Sequence, residues 1–524
     1  MVQVKMFGRG RPLRLAITTA CEMAFILFGY DQGVFSGIVG NGNFLNVVQH
    51  PGDGVLGIIV SIYNLGCFTG TIFSFFCADK LGRRKAMWFA MCWILIGATL
   101  QSTSYSRAQL LVARFVTGFG TGIETSTVPM YQSELCEAHK RGRLVSSEAL
   151  FVGVGIVIAY WFDYGMNQRS DGAISWRVPI ACQVIFAFVV IVLVFGLPES
   201  PRWLCQKRRN AEAIKVLSEV YDREPEDPKI QKEYNDIQEA ITLEHLHGEY
   251  KWSQILKRDD VQTGKRVLLA YGMQFMNQVG GINLVVYYVP SVLQYNVGLT
   301  RNMSLLIGGV IQIMFPTGSL VPSLFLDQIG RRKPMMIGSL LLSICMMMIS
   351  ILLSLSTQPA SSAAVAFFFL YMLFFGASVN CIPWVYVPEI LPLHARAKGT
   401  AIGISSNWLW NFVIVMLTPT LINKLEWKAY LIFMCTNLAF VPLVYFYYPE
   451  TTKLTLEEVD YLFTTKTNVR EAQAVVEQER RRSSVISGEN IDPEDTEKVA
   501  ATTHQESVSV GLDLAHEEQQ KKPE

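Results

Sequence analysis

The sequence predicts an all-α membrane protein, with twelve transmembrane helices arranged as two six-helix halves. Three observations predict it. Half of the 524 residues are hydrophobic and only 17% are charged, with a mean hydropathy of +0.27. Apolar runs of about 20 residues, enough to cross the hydrocarbon core, recur between short polar breaks. Finally, three landmarks occur twice, in the same order and at nearly one offset: "ADKLGRRKAM" (78–87) with "LDQIGRRKPM" (326–335), "YQSELCEAHKR" (131–141) with "YVPEILPLHAR" (386–396), and "LPESPRWL" (197–204) with "YPETTKLT" (448–455).

The elements follow in order. Residues 1–14 form a basic cytoplasmic N-terminus. The N-terminal half, 15–198, contains the runs 15–38, 55–77, 86–104, 108–131, 145–164 and 177–197. A charged, helical intracellular segment, 199–262, joins it to the C-terminal half, 263–462, with the runs 266–290, 303–325, 334–355, 362–388, 398–418 and 428–448. The tail, 463–524, is rich in Glu, Gln, Ser and Lys and reads as disordered, with a basophilic kinase site at Ser483 or Ser484 set against a plain solvated tail. No backbone outside a helix is tolerable against lipid, so a helical bundle is the expected arrangement.

Basic residues such as Lys80, Arg83, Arg84, Lys85, Lys140, Arg141, Arg143, Arg331, Arg332, Lys333, Arg396 and Lys398 fall in alternate short loops, on the same side as Lys5, Arg9, Arg11 and Arg14. That side is expected to be the cytoplasm, with both termini on it. The first crossing reads as the insertion signal, because no short apolar core with a small-residue cleavage site precedes it. The ten cysteines lie mostly within crossings and read as apolar fillers, without a disulfide or metal framework. No cofactor is expected. A net charge of +1 gives no electrostatic reason to expect nucleic acid, and no G-x-x-x-x-G-K-[ST] points to an ATP-driven pump. An enzyme is disfavoured, because no nucleophile, base and orienting group stand together. Tandem halves are an arrangement used by secondary transporters, with substrate near the midplane between them.

Polar groups inside the crossings mark the chemistry. In "YGMQFMNQVGGINLVVYY", Gln274, Asn277, Gln278 and Asn283 fall at i, i+3, i+4 and i+9. A carboxamide both donates and accepts, which suits a small neutral polyhydroxylated ligand; hydrogen bonding between helices is the alternative. Trp384 follows a proline that breaks its helix, and its indole offers a flat apolar face with one N–H. Asp31 lies in the middle of the first apolar run. Ionised at a helix centre it costs about 2.5–3.5 kcal/mol, so a partner is expected, and Arg114 in the fourth run is the obvious one. This ionisable pair belongs to the N-terminal half and the amides to the other, which suggests a division of labour between proton and substrate. The sequon "NMS" makes Asn302 a glycosylation candidate.

These residues carry a family resemblance. Over about 15–460 the chain resembles a sugar porter of the major facilitator superfamily, on the two GRR loops, "RFVTGFGTG" (114–122), "PMYQSE" (129–134), "PESPRWL", "QVGGINLVVYY" (278–288), "PWVYVPEI" (383–390) and "YPETT" (448–452). The resemblance implies the major facilitator fold and assigns Gln274, Gln278 and Asn283 to sugar hydroxyls, Tyr287 and Tyr288 to the extracellular gate, Trp384 to substrate contact, and Asn407 and Trp408 to further lining. It also implies an intracellular charge latch bridging the halves, made of Asp79, Arg83, Glu134, Arg141, Glu199 and Arg202 with Asp327, Arg331, Glu389, Arg396 and Glu450; basic loops that only fix topology are the alternative. Three positions depart from the sugar-porter pattern: Ala149, Phe315 and Asn277. Residues 125–165, with Glu148, resemble a fungal branch that includes glycerol:proton symporters. The expected function is a plasma-membrane monosaccharide:proton symporter acting by alternating access as a monomer. A glycerol or polyol symporter, an uncoupled facilitator and a sugar sensor stay open.

Overall fold

The computed structural model describes residues 6–136, 141–169, 172–246, 252–255, 259, 261–452, 454 and 456–464. The chain begins with α1 (Arg11–Ile38), short α2 (Gly42–Val47), α3 (Asp53–Leu81), α4 (Arg83–Ser102), α5 (Arg107–Leu135), α6 (Arg141–Arg169) and α7 (Ile174–Gly196). The segment between the halves holds α8 (Pro201–Gln206), α9 (Asn210–Tyr221) and α10 (Pro228–Leu246), followed by a 3₁₀ turn at Trp252–Gln254. Next come α11 (Thr263–Val279), α12 (Ile282–Tyr295), α13 (Arg301–Ile329), α14 (Arg332–Ser354), α15 (Gln358–Ala377), α16 (Ile382–Ile390), α17 (Arg396–Leu425) and α18 (Lys428–Tyr447). These elements belong to one compact unit ending at Lys453. A second unit begins at Leu454 and contains α19 (Leu456–Thr464), so the division falls before the expected end of the C-terminal half at 462. The expected phosphorylation sites lie outside the described residues.

Among the described residues nine helical stretches are long and apolar enough to cross a membrane, α15 and α16 counting as one. The remaining three crossings are α4, which opens on Arg83, Arg84 and Lys85, α5, which carries Arg107, Arg114, Glu124 and Glu134, and the interrupted pair α11 and α12. Their charges or breaks dilute the hydropathy without shortening the span. None of the ten cysteines is in a disulfide among the described residues.

Two expected spans are divided, each for a local reason. The run 266–290 breaks at Gly280–Gly281, where Gly281 takes φ +101°, a conformation costly for any residue with a Cβ. The run 362–388 breaks between Ala377 and Ile382, just before Pro383, whose ring cannot continue the ladder. The carbonyls freed at the first break are satisfied from neighbouring helices. The Gly280 carbonyl accepts from the Tyr371 hydroxyl at 3.0 Å and Asn437 Nδ2 at 2.7 Å, and the Val279 carbonyl from the Thr436 hydroxyl at 3.1 Å.

Close helix approach holds the N-terminal half together. A Cβ at Gly118 of α5 would lie 2.0 Å from the Tyr63 carbonyl of α3. Dispersion and backbone proximity, not hydrophobicity, drive such contacts in lipid. Gly118→Val is therefore expected to push α3 and α5 apart and to remove the monodisperse peak in detergent size-exclusion chromatography. The halves meet along two main seams, α3 on α17 and α6 on α13.

Candidate functional site

Five of the amides read from sequence form one continuous chain. Asn283 Nδ2 donates to Gln278 Oε1 at 2.8 Å, Gln278 Nε2 to Asn277 Oδ1 at 2.7 Å, and Asn407 Nδ2 to Gln274 Oε1 at 2.7 Å, with a longer link of 3.4 Å to Asn277 Oδ1. The chain spans both breaks, because Asn283 follows Gly280–Gly281 while Asn277 Nδ2 donates to the Val379 carbonyl at 2.8 Å, inside the second break. All five side chains are buried. Buried capacity is left over: Gln274 Nε2, Asn411 Oδ1 and Trp408 Nε1 have no protein partner. Such a set of unmatched donors and acceptors favours a ligand carrying several hydroxyls.

The aromatic expectations divide. Trp384 is half-buried on α16. Trp408 is the indole fully buried at the seam, with Phe28 of α1 edge-on at 5.4 Å between ring centroids. Tyr287 and Tyr288 are buried on α12; the Tyr288 hydroxyl donates to the Val415 carbonyl of α17 at 3.3 Å. Near them the Tyr160 hydroxyl of α6 donates to the Val286 carbonyl at 2.5 Å. At the end of the bundle opposite the GRR loops, Arg301 donates to Asn167 Oδ1 at 3.1 Å and to the Gly37 carbonyl at 3.3 Å, and Asn423 donates to Asp53 at 2.8 Å. That end is closed across the halves. Asn302 lies in the first turn of α13 and accepts from Asn167 Nδ2 at 3.1 Å, while Ser304 of its sequon is buried.

Asp31 and Arg114 do not form the expected ion pair. The Arg114 guanidinium donates to the Ile59 and Val60 carbonyls at 3.1 and 2.6 Å and lies over the Phe35 ring, 3.7 Å from its centroid. Backbone acceptors and an aromatic face satisfy the cation without the carboxylate. Asp31, 1% exposed, accepts from the Tyr63 hydroxyl at 3.5 Å, and its Oδ1 has no protein partner. Tyr63, which sequence reasoning missed, stands between them: its ring is 5.1 Å from the guanidinium and its hydroxyl faces Asp31. A tyrosine in an apolar run carries no distinguishing spacing.

Glu148 is buried on α6, with Oε1 unpartnered, and none of the described hydrogen bonds ties it to the amide chain. Asn380, also missed, reaches this region instead. It lies inside the second break and donates to the Ala149 carbonyl at 3.3 Å, across the halves, and to the Ser319 hydroxyl at 3.2 Å. Phe315 packs against Phe375 at 5.7 Å.

The repeated charges are built twice with one geometry. Arg83 holds Glu134 through two bonds of 3.1 and 3.0 Å, and Glu199 accepts from the backbone amides of Arg83 and Arg84 at 3.0 and 3.2 Å. Correspondingly, Arg331 holds Glu389 at 3.2 and 2.8 Å and Asp327 at 3.0 Å, and Glu450 accepts from the amides of Arg331 and Arg332, each at 2.9 Å. Glu199 and Glu450 thus cap the N-termini of α4 and α14, where carboxylates meet orphan amides and the favourable end of the helix dipole. The preceding Gly82 and Gly330 take φ +88° and +90°, and a Cβ there would come within 2.7 and 2.8 Å of the capping carboxylate. The ion pairs Arg83–Glu134, Arg331–Asp327 and Arg331–Glu389 each join groups of the same half. The short GRR turns bring each arginine under its own neighbouring helix end. The side chains of Asp79 and Arg141 lie outside the described residues. Arg202 is in α8, and Arg396 opens α17 and donates to the Leu391 carbonyl at 3.3 Å.

The two caps differ electrostatically. Burial raises Glu199 above the ordinary 4.5 despite the amides of Ser200, Arg84 and Arg83. Burial acts the same way on Glu450, but the Thr452 hydroxyl and the amides of Arg331, Arg332 and Thr452 outweigh it and hold the group below 4.5. A depressed carboxyl contributes stability above its unfolded value and loses it as pH falls through the folded one; a raised carboxyl contributes below its unfolded value and loses it as pH rises. Glu450→Gln is therefore expected to lower the Tm at neutral pH, by about 1–2 kcal/mol of stability, and Glu199→Gln to lower it less. Thermal denaturation of the two purified variants checks the order.

The comparisons agree with this architecture. The family described as Sugar (and other) transporter matches residues 16–463. MFS-type transporter oryC of Aspergillus oryzae is 36% identical over 94% of this chain and 93% of its own length. Sugar transporter STL1 of Saccharomyces cerevisiae is 33% identical over 87% of this chain and 82% of its own. Among solved structures, the proton:xylose symporter XylE superposes with a TM-score of 0.73 at 24% identity, covering 86% of this chain and 99% of that one, a likeness of fold. The chain belongs to the sugar (and other) transporter family of the major facilitator superfamily and is a multi-pass membrane transporter, not an enzyme.

Proposed function

We propose that the protein is a proton-coupled symporter for a small neutral polyhydroxylated molecule, a hexose or pentose, working as a monomer by alternating access in the plasma membrane with both termini cytoplasmic. The observation that carries this reading is the buried amide chain Asn283–Gln278–Asn277–Asn407–Gln274, laid across two helix breaks with donors and acceptors to spare. Discontinuous helices at a repeat interface are where secondary transporters bind substrate. The relatives named for sugar or glucose transport and the xylose symporter of like fold support the substrate class. Asp31, in the opposite half, supplies the protonatable group.

A glycerol or polyol substrate is the second reading, favoured by the phenyl groups of Phe315 and Phe375 and the small Ala149, which leave this side of the interface with fewer hydrogen-bonding groups. Uptake of labelled hexose, pentose, disaccharide and glycerol in transporter-null cells, with and without a protonophore, tests both. Protonophore-sensitive accumulation of a hexose or pentose is expected. Accumulation of glycerol alone would favour the second reading, and protonophore-insensitive equilibration would contradict coupling.

A further inference from the structure

Glu124 is a buried acid that the mechanism above does not use. It lies in α5, is 1% exposed, and neither carboxyl oxygen has a protein partner. It stands three residues after Thr121, on the same helix face, and the Thr121 hydroxyl lies beside the Asp31 carboxyl. Asp31 and Glu124 thus lie along one interior stretch of α5, with no hydrogen bond joining the two among the described residues. Of the elements packed on α5, α1 carries Asp31 and α3 carries Cys67 within electrostatic reach of Glu124. α4 is apolar at the neighbouring level, with Ala90 and Ile94 against Gly120. Tyr131 and Glu134, further along α5, are engaged by the Pro198 carbonyl and Arg83 toward the α8 end. Among the described residues no cation forms an ion pair with Glu124, and Asp31 is the one carboxyl whose field reaches it.

The other interior acids differ. Asp163 accepts from the Gly37 amide at 3.3 Å and lies near Arg301. Glu148 on α6 has Glu22 of α1 as its neighbouring carboxyl. Only the neutral acid fits a dry site without a partner, because a bare carboxylate there loses its hydration with nothing in exchange. When both carboxyls ionise they repel, so protons are gained and lost by the pair, not by one member.

We propose that Glu124 is a second proton-binding site, coupled to Asp31, and that the carrier moves two protons with each substrate molecule. The inference rests on the symport reading, and the test separates the two. The full-length protein is reconstituted in proteoliposomes, a pH difference of one unit is imposed with the membrane potential clamped at zero, and the steady accumulation of the labelled substrate identified by the uptake panel is measured. Each coupled proton contributes about tenfold per pH unit. Wild type is expected to reach about 100-fold and Glu124→Gln, which copies the shape of the neutral acid, about tenfold. Wild-type accumulation of about tenfold would overturn the second site and leave symport standing, as would about 100-fold accumulation by Glu124→Gln. No accumulation by wild type would overturn both. The wild-type value decides the number of protons even where Glu124→Gln does not fold; Glu124→Asp, which keeps the carboxyl, is then expected to retain about 100-fold accumulation, and Glu124→Ala about tenfold.

Discussion

Asp31→Asn is expected to abolish uphill uptake, so that internal and external substrate concentrations become equal under an imposed pH gradient, while exchange of labelled for unlabelled substrate continues. The carboxyl is 1% exposed, its Oδ1 is unpartnered, and the nearest donor is the Tyr63 hydroxyl at 3.5 Å. Arg114 forms no ion pair with it, being engaged by the Ile59 and Val60 carbonyls. A buried carboxylate without an ion-pair partner is costly, so this conformation is reached most readily with the proton bound. Conformation and protonation are thereby linked, which is the requirement for coupling. Asparagine copies the neutral acid and cannot release a proton, so it retains the moving carrier and removes the driving force. Full accumulation by the variant, measured in proteoliposomes, would show that the coupling proton binds elsewhere.

Gln278→Ala is expected to raise the KM for the transported substrate about ten- to a hundredfold, since it removes the donor to Asn277 and the acceptor from Asn283, two bonds worth about 0.5–1.5 kcal/mol each. Asn407→Ala, which severs the link from α17 to Gln274, is expected to have an effect of the same order. The alternative is that the amides only tie helices together. In that case Gln278→Ala lowers the Tm and leaves KM unchanged. Measuring initial uptake rates and thermal stability on the same preparations separates the two.

Much of this was legible in the sequence for identifiable reasons. Hydropathy gives the spans because lipid permits nothing else to cross, and amides stand out because an apolar helix has few causes to carry them. Pro383 announced one helix break. The other, at Gly280–Gly281, lies inside one continuous run of crossing length, and a glycine pair does not by itself reveal a φ of +101° at Gly281. Partners were much harder to read than positions. Arg114 stands out as a charge within an apolar run, but nothing in its spacing distinguishes a carboxylate partner from the carbonyls of Ile59 and Val60. The GRR arginines and their glutamates were recognised as repeated, but their capping role depends on Glu199 and Glu450 returning 116 and 119 residues later to the starts of α4 and α14. Repetition within a sequence shows that a structure was built twice, not that its two copies touch.

The most direct test of the central claim is a pH electrode in a weakly buffered suspension of cells expressing the protein. Adding the transported substrate is expected to raise the external pH transiently, in wild type but not in Asp31→Asn, and a protonophore is expected to abolish the rise. Entry of labelled substrate at the wild-type rate with no change in external pH would contradict proton-coupled transport.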